Sequence, residues 1–505
     1  MTARTSWHTE ASLAPTTRTT LGGIVDDIVI GGGVVGLSAA VELARHGRRV
    51  VLVEAHPTLG AGTSGRSTGK LSLLQGTRLS TIATHHGPAT SARYVEACRE
   101  AQTWVEQLLD HWDVDVQHRP AVTWASDGDR TSDTRAENAA ARRAGLPTRW
   151  QREVPAGLPG YGAVVLDDQP QVDALAYVAA LGAEAVAAGV DVRLGRRVRQ
   201  VSGGASPCVT LEGGEELRAA HVLVATGIPV LDRTAAFATV KPHRSYVVAF
   251  ETSEEALPMA VSVGSPSWTV RGVPRPGRAP LALVGGHGHV VGRSGPAGRH
   301  LEAVRQWARE HLDVGAEVAA WSAQDYLTPD EVPIAGRAPG RAPVHVVTGL
   351  GGWGLLAGVA GARAVAAAVA QGRRLPLVPP GRLTGPRSMT SLAQWNAAVG
   401  GHLASGWLGA LARAGEVPGE SQGVVTRGRP PVATSTVDGC VRSVSGVCPH
   451  LGGVVRWNDV EQTWDCPLHG SRFEPDGTLV EGPGRRVRRG RVRCGGPSRP
   501  WPSGS

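Results

Sequence analysis

Apolar and polar positions follow two periods along this chain, and the switch between them marks its elements. Asp27-Ile28-Val29-Ile30 is a short apolar run that predicts a buried strand. It passes into Gly31-Gly32-Gly33-Val34-Val35-Gly36 and then into a helical repeat through about His46, with Leu37, Ala40, Val41 and Ala44 on one face. Arg49 to Val53 predicts a second strand, with Glu54 at its end. Helical spacing returns from Ser91 to Trp112, placing Tyr94, Cys98, Ala101, Trp104, Val105 and Leu108 on or near one face, and an Ala-rich helix is predicted from Gln171 to Ala188. Arg197 to Val201 and His221 to Val224 predict strands, the second ending in Ala225-Thr226-Gly227. From Lys241 onward the runs shorten to Tyr246–Glu251, Met259–Val263, Ser267–Arg271 and Leu281–Val284, the signature of strands separated by turns. His287-Gly288-His289 follows them and predicts a loop, since no further ligands stand at metal spacing. A helix from Glu302 to His311 comes next. Then Val346-Val347-Thr348 runs through a second glycine-rich turn, Gly349 to Gly354, into an Ala-rich helix of about 355–371.

Beyond that helix the pattern changes. Gln371 to Arg387 is rich in Pro, Gly and Arg and predicts a linker. Ser391 to Ala414 carries Leu392, Trp395, Val399, Leu403, Leu408 and Leu411 at helical intervals, interrupted by Gly400-Gly401. Then come Cys448-Pro449-His450 and Cys466-Pro467-Leu468-His469, two thiols and two imidazoles in mixed pairs, each pair on its own loop. Two Cys on one iron and two His on the other is what a Rieske [2Fe–2S] centre needs. Cys₂His₂ also suits zinc, although the zinc-finger order puts both Cys before both His.

Composition narrows the partners. The 505 residues allow two to four domains, each able to bury its own core. The net charge of +8 comes from scattered arginines, with Lys70 and Lys241 the only lysines. No basic stripe with interleaved aromatics stands out, so a nucleic-acid partner is not expected. The run Arg485-Arg486-Val487-Arg488-Arg489 predicts solvated surface. Outside the two loops, Cys98, Cys208, Cys440 and Cys494 are far apart and outline no secreted-type framework. The leader is polar and no run of eighteen apolar residues occurs, so the expectation is a cytoplasmic protein without a membrane span.

The first glycine turn has the chemistry of a dinucleotide site. Gly31, Gly33 and Gly36 fit G-x-G-x-x-G between a strand and a helix, and Glu54 closes the next strand where a carboxylate can accept ribose hydroxyls. The stretch Gly60 to Gly76, dense in Gly, Ser and Thr with Arg66 and Lys70, is one that NAD domains do not need. No second complete fingerprint appears.

In this order the pieces from about 25 to 375 resemble the D-amino-acid-oxidase-like (DAO) superfamily of FAD oxidoreductases, and about 415 to 492 resembles a Rieske domain. The first resemblance implies an FAD set of Gly31, Gly33, Gly36, Glu54, Arg66, Ser67, Thr68, Val198, Thr226, Gly227, Gly351 and Gly354. It also implies an antiparallel sheet that roofs the flavin and holds the substrate, with Lys70, Lys241 and Arg244 as candidate catalytic or substrate-clamping groups. The second implies Cys448, His450, Cys466 and His469 as cluster ligands. Many Rieske domains carry an extra Cys in each loop, joined by a disulfide; here those places hold Gly453 and Leu468. That departure predicts a less braced cluster with a potential in the lower part of the Rieske range, roughly −150 mV upward.

The expected architecture is an α/β FAD-binding Rossmann-type domain with an inserted antiparallel-sheet substrate domain, followed by a small all-β Rieske domain. Its expected bounds are a leader at 1–24, the oxidoreductase domain at 25–375 with the substrate sheet mainly at 90–190 and 240–330, a linker and docking helix at 376–414, the Rieske domain at 415–492 and a disordered tail at 493–505. The expected activity is oxidation of a small amine or amino-acid-like substrate by FAD, with electrons relayed through the cluster to an external carrier. The competing expectation is an electron-transfer protein or redox sensor whose flavin domain serves the cluster. Oligomeric state is not legible.

Overall fold

The computed structural model describes residues 24–229, 236–340, 342–373, 385–414 and 417–494. The chain divides into two compact units, Met1–His289 with His300–Ala393, and Val290–Arg299 with Gln394–Ser505.

The first unit is built on two sheets. Among the described residues the first runs in the order Ile334–Arg337, Val344–Thr348, Glu216–Val224, Val25–Ile30, Val50–Val53 and Asp191–Arg193, and a hairpin, Val198–Ser202 with Cys208–Leu211, joins it at Glu216–Val224. The pairs from Val344–Thr348 to Asp191–Arg193 are parallel. Ile28, Val29 and Leu52 are fully buried, as strands covered on both faces require. The helices Val34–Arg45 and Val359–Gln371 pack against each other, and Ala39, Ala40 and Ala362 on them are buried. Among the described residues, Gly354–Gln371 is the one helix whose length and composition would suit a membrane, but 56% of that span is buried inside the protein.

The second sheet orders Val314–Leu327, Lys241–Thr252, Leu281–Val290, Trp268–Val273, Met259–Val263, Val116–Ala125, Ala163–Val172 and Arg149–Gln151. Val314–Leu327 with Lys241–Thr252, and the pairs Leu281–Val290 with Trp268–Val273, Trp268–Val273 with Met259–Val263, Val116–Ala125 with Ala163–Val172 and Ala163–Val172 with Arg149–Gln151, are antiparallel, whereas Met259–Val263 runs parallel to Val116–Ala125. Two expectations are corrected here. Gln171 does not begin a helix; it lies in the strand Ala163–Val172, and the helix is Ala174–Ala187, started by the Asp173 carboxylate, which accepts from the Leu175 and Ala176 amides. His287-Gly288-His289 is not a loop but the far end of the strand Leu281–Val290.

The second unit is two small antiparallel sheets. Gly423–Thr426, Val432–Val437, Cys440–Ser445 and Arg489–Cys494 form one, and Arg456–Asn458, Thr463–Asp465, Arg472–Phe473 and Leu479–Glu481 the other. Their core gathers Ala433, Val444, Val455, Trp464, Phe473 and Leu479, with Val399 and Leu403 packed against it. Those two lie on the helix Pro386–Ala412, which continues unbroken through Gly400-Gly401. Cys440 and Cys494, far apart in sequence, face each other on neighbouring antiparallel strands and form a disulfide. Residues 493 and 494, expected in a disordered tail, belong to that strand. The remainder of the tail, most of the leader and most of the linker lie outside the described residues.

Candidate functional site

Two sites emerge, one in each unit. In the first, the glycine turn sits where the strand Val25–Ile30 meets the helix Val34–Arg45. Gly31 has φ +112°, and a Cβ there would come within 2.6 Å of the Ala225 carbonyl oxygen. A Cβ on Gly36 would be driven into the Gly31 carbonyl. Gly33 precedes the helix without capping it by a side chain, and the Val34 amide is met at 3.2 Å by the Ser64 hydroxyl. The result is a bare helix start lined by backbone, which suits a pyrophosphate. Glu54 is buried; one oxygen accepts from the Gly32 amide at 2.6 Å and the other from the His56 amide at 2.8 Å, fixing the carboxylate beside the turn. Arg196 N–H donates to the Glu54 carbonyl at 2.7 Å, which sets Val198 two residues from that point.

The distant pieces of the predicted set converge. Gly31 lies against Ala225 and Thr226, and a Cβ on Gly227 would touch the Tyr326 ring at 3.3 Å. The Tyr326 carbonyl accepts from the Gly351 amide at 3.0 Å. The second glycine turn is held further by Asp325, which accepts from Gly352 N–H at 2.5 Å, and by buried Arg78, which donates to the Leu350 and Gly351 carbonyls at 3.0 and 3.1 Å. Gly354 opens the helical turn that follows. The Arg66-Ser67-Thr68 loop is stitched to the strand Val314–Leu327. Thr63 donates to the Gln324 carbonyl at 2.5 Å, Trp321 Nε1 donates to the Arg66 carbonyl at 2.9 Å, and Arg66 reaches the Ser322 carbonyl at 3.4 Å.

Beside that loop the second sheet buries positive charge. Lys70 donates to the Thr269 hydroxyl, and Arg271, one strand position away from Val270, donates to the Thr68 and Val172 carbonyls. Burial, reinforced by Arg271, pushes the Lys70 ammonium down to about 7; burial pushes Arg271 down to about 9. Arg244 is fully buried and donates to the Ser322 hydroxyl at 3.2 Å and the Gln324 side-chain oxygen at 2.9 Å. Lys241 lies three residues before it, paired with Leu327 and half-buried. Tyr246, His287 and His289 on the same sheet form a ring cluster with His300 of the helix Gly298–His311, with Tyr246 Oη and His289 Nε2 3.0 Å apart.

Lys70 gives a sign-definite pH effect. Its folded value lies below its unfolded one, so between about pH 7 and 10.5 the unfolded chain holds the extra proton and stability rises with pH. The cost of burying the charge is complete below about pH 7. Lys70→Met removes that cost, so the variant is expected to gain on the parent at pH 6 by about 2.7 kcal/mol relative to pH 9. Thermal melts of the two flavin-free proteins at both pH values check this; a difference independent of pH contradicts it.

The second site lies on two loops of the same construction. Cys448 N–H donates to the Gly453 carbonyl at 2.8 Å and the Cys448 carbonyl accepts from Gly452 at 3.0 Å; Cys466 N–H donates to Ser471 at 2.7 Å and its carbonyl accepts from Gly470 at 3.1 Å. Gly452 and Gly470, each four residues after its cysteine, have φ of +73° and +74°. Both thiols are buried and meet each other, and the His450 and His469 rings stand edge-on with centroids 5.1 Å apart. Hydrogen bonding from Cys466, with the amides of His450 and Leu451 and the Ser471 hydroxyl, lowers the Cys448 thiol; the Cys448 sulfur and burial raise Cys466. Burial, with His450 and Arg293, pushes His469 down to about 3, which keeps it a neutral donor. The donors come as two pairs, and among the described residues no three His, Cys, Asp or Glu side chains converge on one ion. Two donors at each of two irons is the Rieske requirement. Gly453 and Leu468 do face each other: a Cβ on Gly453 would be 2.7 Å from Leu468 Cγ. The buried Leu468 side chain fills the place of a bridge.

A mostly parallel sheet with a glycine cradle, roofed by a second sheet, defines a flavin-dependent oxidoreductase, and the two-loop β unit defines a Rieske domain. The chain belongs to the FAD dependent oxidoreductase (DAO) family, whose pattern matches residues 26–368, and the Rieske [2Fe-2S] domain matches residues 408–491. It therefore binds FAD and a [2Fe–2S] cluster. Among relatives, it is 29% identical over 468 residues to the putative Rieske 2Fe-2S iron-sulfur protein YhfW of Bacillus subtilis (strain 168), covering 91% of each chain. A 98-residue stretch, 18% of the chain, is 35% identical to cytochrome b6-f complex iron-sulfur subunit 1 of Synechocystis, spanning 55% of that protein. The fold is shared with L-proline dehydrogenase from P. horikoshii (TM-score 0.59, 17% identity, 72% of this chain and 98% of that one) and with glycine oxidase from Geobacillus kaustophilus (0.57, 21%, 71% and 97%).

Sequence reasoning missed Ser64, Arg78, Arg271 and Asp325. Arg271 carried a signal, a charge inside an apolar strand run. The other three act through contacts at distances in sequence that no local pattern reports.

Proposed function

We propose that this chain oxidises a small amine or amino-acid-like substrate and delivers the electrons through its Rieske cluster to an external carrier. When bound, FAD supplies a two-electron acceptor for the substrate hydride and the cluster a one-electron carrier. Gly31, Gly33 and Gly36 would take the pyrophosphate, Glu54 the ribose, and Val198, Thr226 and Gly227 would line the nucleotide. Arg66, Ser67, Thr68, Gly351 and Gly354 would lie by the flavin ring. Cys448 and Cys466 would hold one iron, His450 and His469 the other.

One observation carries the substrate reading. Arg244 and Arg271 are buried on the sheet that is stitched to the flavin-side loop, and Lys70, bridged to that sheet at Gln171, is buried beside Arg271 and donates to the neutral Thr269 hydroxyl. Buried positive charge favours an anionic group, and a substrate carboxylate is the simplest one. Arg244 would clamp it and Lys70 would hold or release a proton nearby; Lys241 would add charge at the strand start. Glycine oxidase and L-proline dehydrogenase share the fold, which accords with this class. A cytoplasmic location is part of the reading, and the Cys440–Cys494 bridge is the feature that speaks against a reducing compartment.

Anaerobic mixing with a panel of amines and amino acids is the test. Bleaching of the flavin spectrum is expected with a member that carries a carboxylate, and is expected to weaken at least about tenfold in Arg244→Met, the equivalent of about 1.4 kcal/mol. A panel that leaves the flavin oxidised, with ready reduction by an electron carrier instead, would replace this reading by that of an electron-transfer protein.

A further inference from the structure

The second cluster loop is held by a segment from far upstream. Val290–Arg299 follows the strand Leu281–Val290 and leads into the helix Gly298–His311, yet it packs within the Rieske unit. Three anchors fix it there. Gly292 has φ +66°, and a Cβ on it would stand 2.9 Å from both the amide nitrogen and Cα of Pro467, so only glycine permits that approach. Arg293 Nε donates to the Pro467 carbonyl at 2.8 Å, and a terminal guanidinium nitrogen reaches the Leu468 carbonyl at 3.5 Å. The Asp459 carboxylate accepts from the Ala297 and Gly298 amides at 2.7 and 3.3 Å.

The carbonyls that Arg293 engages are those of Pro467 and Leu468, the two residues between Cys466 and His469. One side chain thus spans the peptide between a cysteine and a histidine ligand that serve different irons. The two loops lack a disulfide brace, so this clamp acts where a covalent one is missing. The guanidinium keeps its proton under all ordinary conditions. Burial works against its charge, and the Cys466 sulfur is the group that favours it.

We propose that Arg293 is a positioning residue for the [2Fe–2S] cluster, holding the Cys466–His469 loop and, by its charge, raising the potential at which the cluster takes up an electron. Reduction adds one negative charge to the cluster. A fixed, half-buried cation beside a cysteine ligand is less screened than a surface charge and favours the reduced form. Asp459 and Gly292 hold the segment that delivers this cation. The proposal rests on the ligand assignment above and on neither the substrate nor the direction of electron flow.

The test is a redox titration of the full-length holoprotein with dithionite and mediators, followed by the electron paramagnetic resonance of the reduced cluster. Arg293→Met is expected to keep its cluster and to shift the one-electron equilibrium about tenfold toward the oxidised form, a midpoint lower by about 59 mV. Arg293→Gln, which retains a donor without the charge, is expected to fall equally, and it carries the test should Arg293→Met lose its cluster. Arg293→Lys restores the charge and is expected to recover most of the shift. A full cluster in Arg293→Met or Arg293→Gln with less than about a twofold shift, roughly 18 mV on the same scale, overturns the proposal. Lysine falling as far as methionine overturns the role of charge, as does loss of the cluster in all three variants. A wild-type chain with no Rieske signal sinks the ligand assignment, and with it this one.

Discussion

Cys448→Ser is expected to yield a protein that still binds FAD, shows no Rieske signal, and loses carrier-linked turnover by more than about a hundredfold. Replacing groups merely hydrogen-bonded to metal ligands already costs about 10- to 100-fold in metal affinity or activity. Cys448 is expected to be a ligand itself, buried against Cys466 and held as the more acidic thiol by that neighbour and by the His450 and Leu451 amides. A serine hydroxyl in the same place has no comparable tendency to ionise and is a harder donor than iron–sulfur chemistry favours. Flavin content should be untouched, because the dinucleotide cradle is built from residues of the other unit. The decisive readout is the acceptor. Turnover that continues unchanged, with peroxide formed in step with substrate, would show that oxygen takes the electrons at the flavin and that the cluster is no relay. Cys466→Ser should behave alike, since the two loops have the same hydrogen-bond closure.

Gly36→Ala is expected to purify with at least about tenfold less flavin per protein, judged from the visible absorbance. A Cβ at that position runs into the Gly31 carbonyl oxygen and comes within 3.3 Å of Val29 Cγ1. The helix Val34–Arg45 must then move away from the strand that carries the turn. Overpacking of this kind costs about 1–3 kcal/mol, and here the cost falls on the geometry of the cradle. Glu54→Ala gives an independent check without steric conflict: the loss of a charged acceptor, about 1.5–3 kcal/mol, translates to roughly 10- to 150-fold in affinity. Retention of the cluster signal in both variants separates a flavin-specific effect from global unfolding. Full flavin occupancy in Gly36→Ala would remove the turn from the dinucleotide site.

Local chemistry was legible wherever a residue's neighbours in sequence are its neighbours in space. The strand-turn-helix at Gly31 to Gly36, the terminal Glu54 and the paired Cys and His loops are each compact in sequence, so spacing alone implied their geometry. The strand Met259–Val263 was delimited by periodicity to the residue. Errors arose where short-range signals compete. Gln171 to Ala188 is Ala-rich throughout, but Gln171 pairs in a strand and only the Asp173 cap marks the change. Gly400-Gly401 looked like an interruption, and the helix passes through because two glycines cost only about 2 kcal/mol together within 27 residues. His287-Gly288-His289 lacked strand periodicity, yet it extends a strand whose partners lie elsewhere in the chain.

The sequence by itself determined the two cofactor chemistries and the order of the parts, because glycine, carboxylate, thiol and imidazole at those spacings admit few uses. The tertiary structure alone decided how distant pieces meet. It brought Gly31 to Ala225 and Tyr326 to Gly351, buried Lys70 beside Arg271, joined Cys440 to Cys494 and laid Arg293 across the peptide between Cys466 and His469. Those encounters are set by sheet order and by close backbone packing. Neither leaves a period in the chain, so no local pattern could announce them.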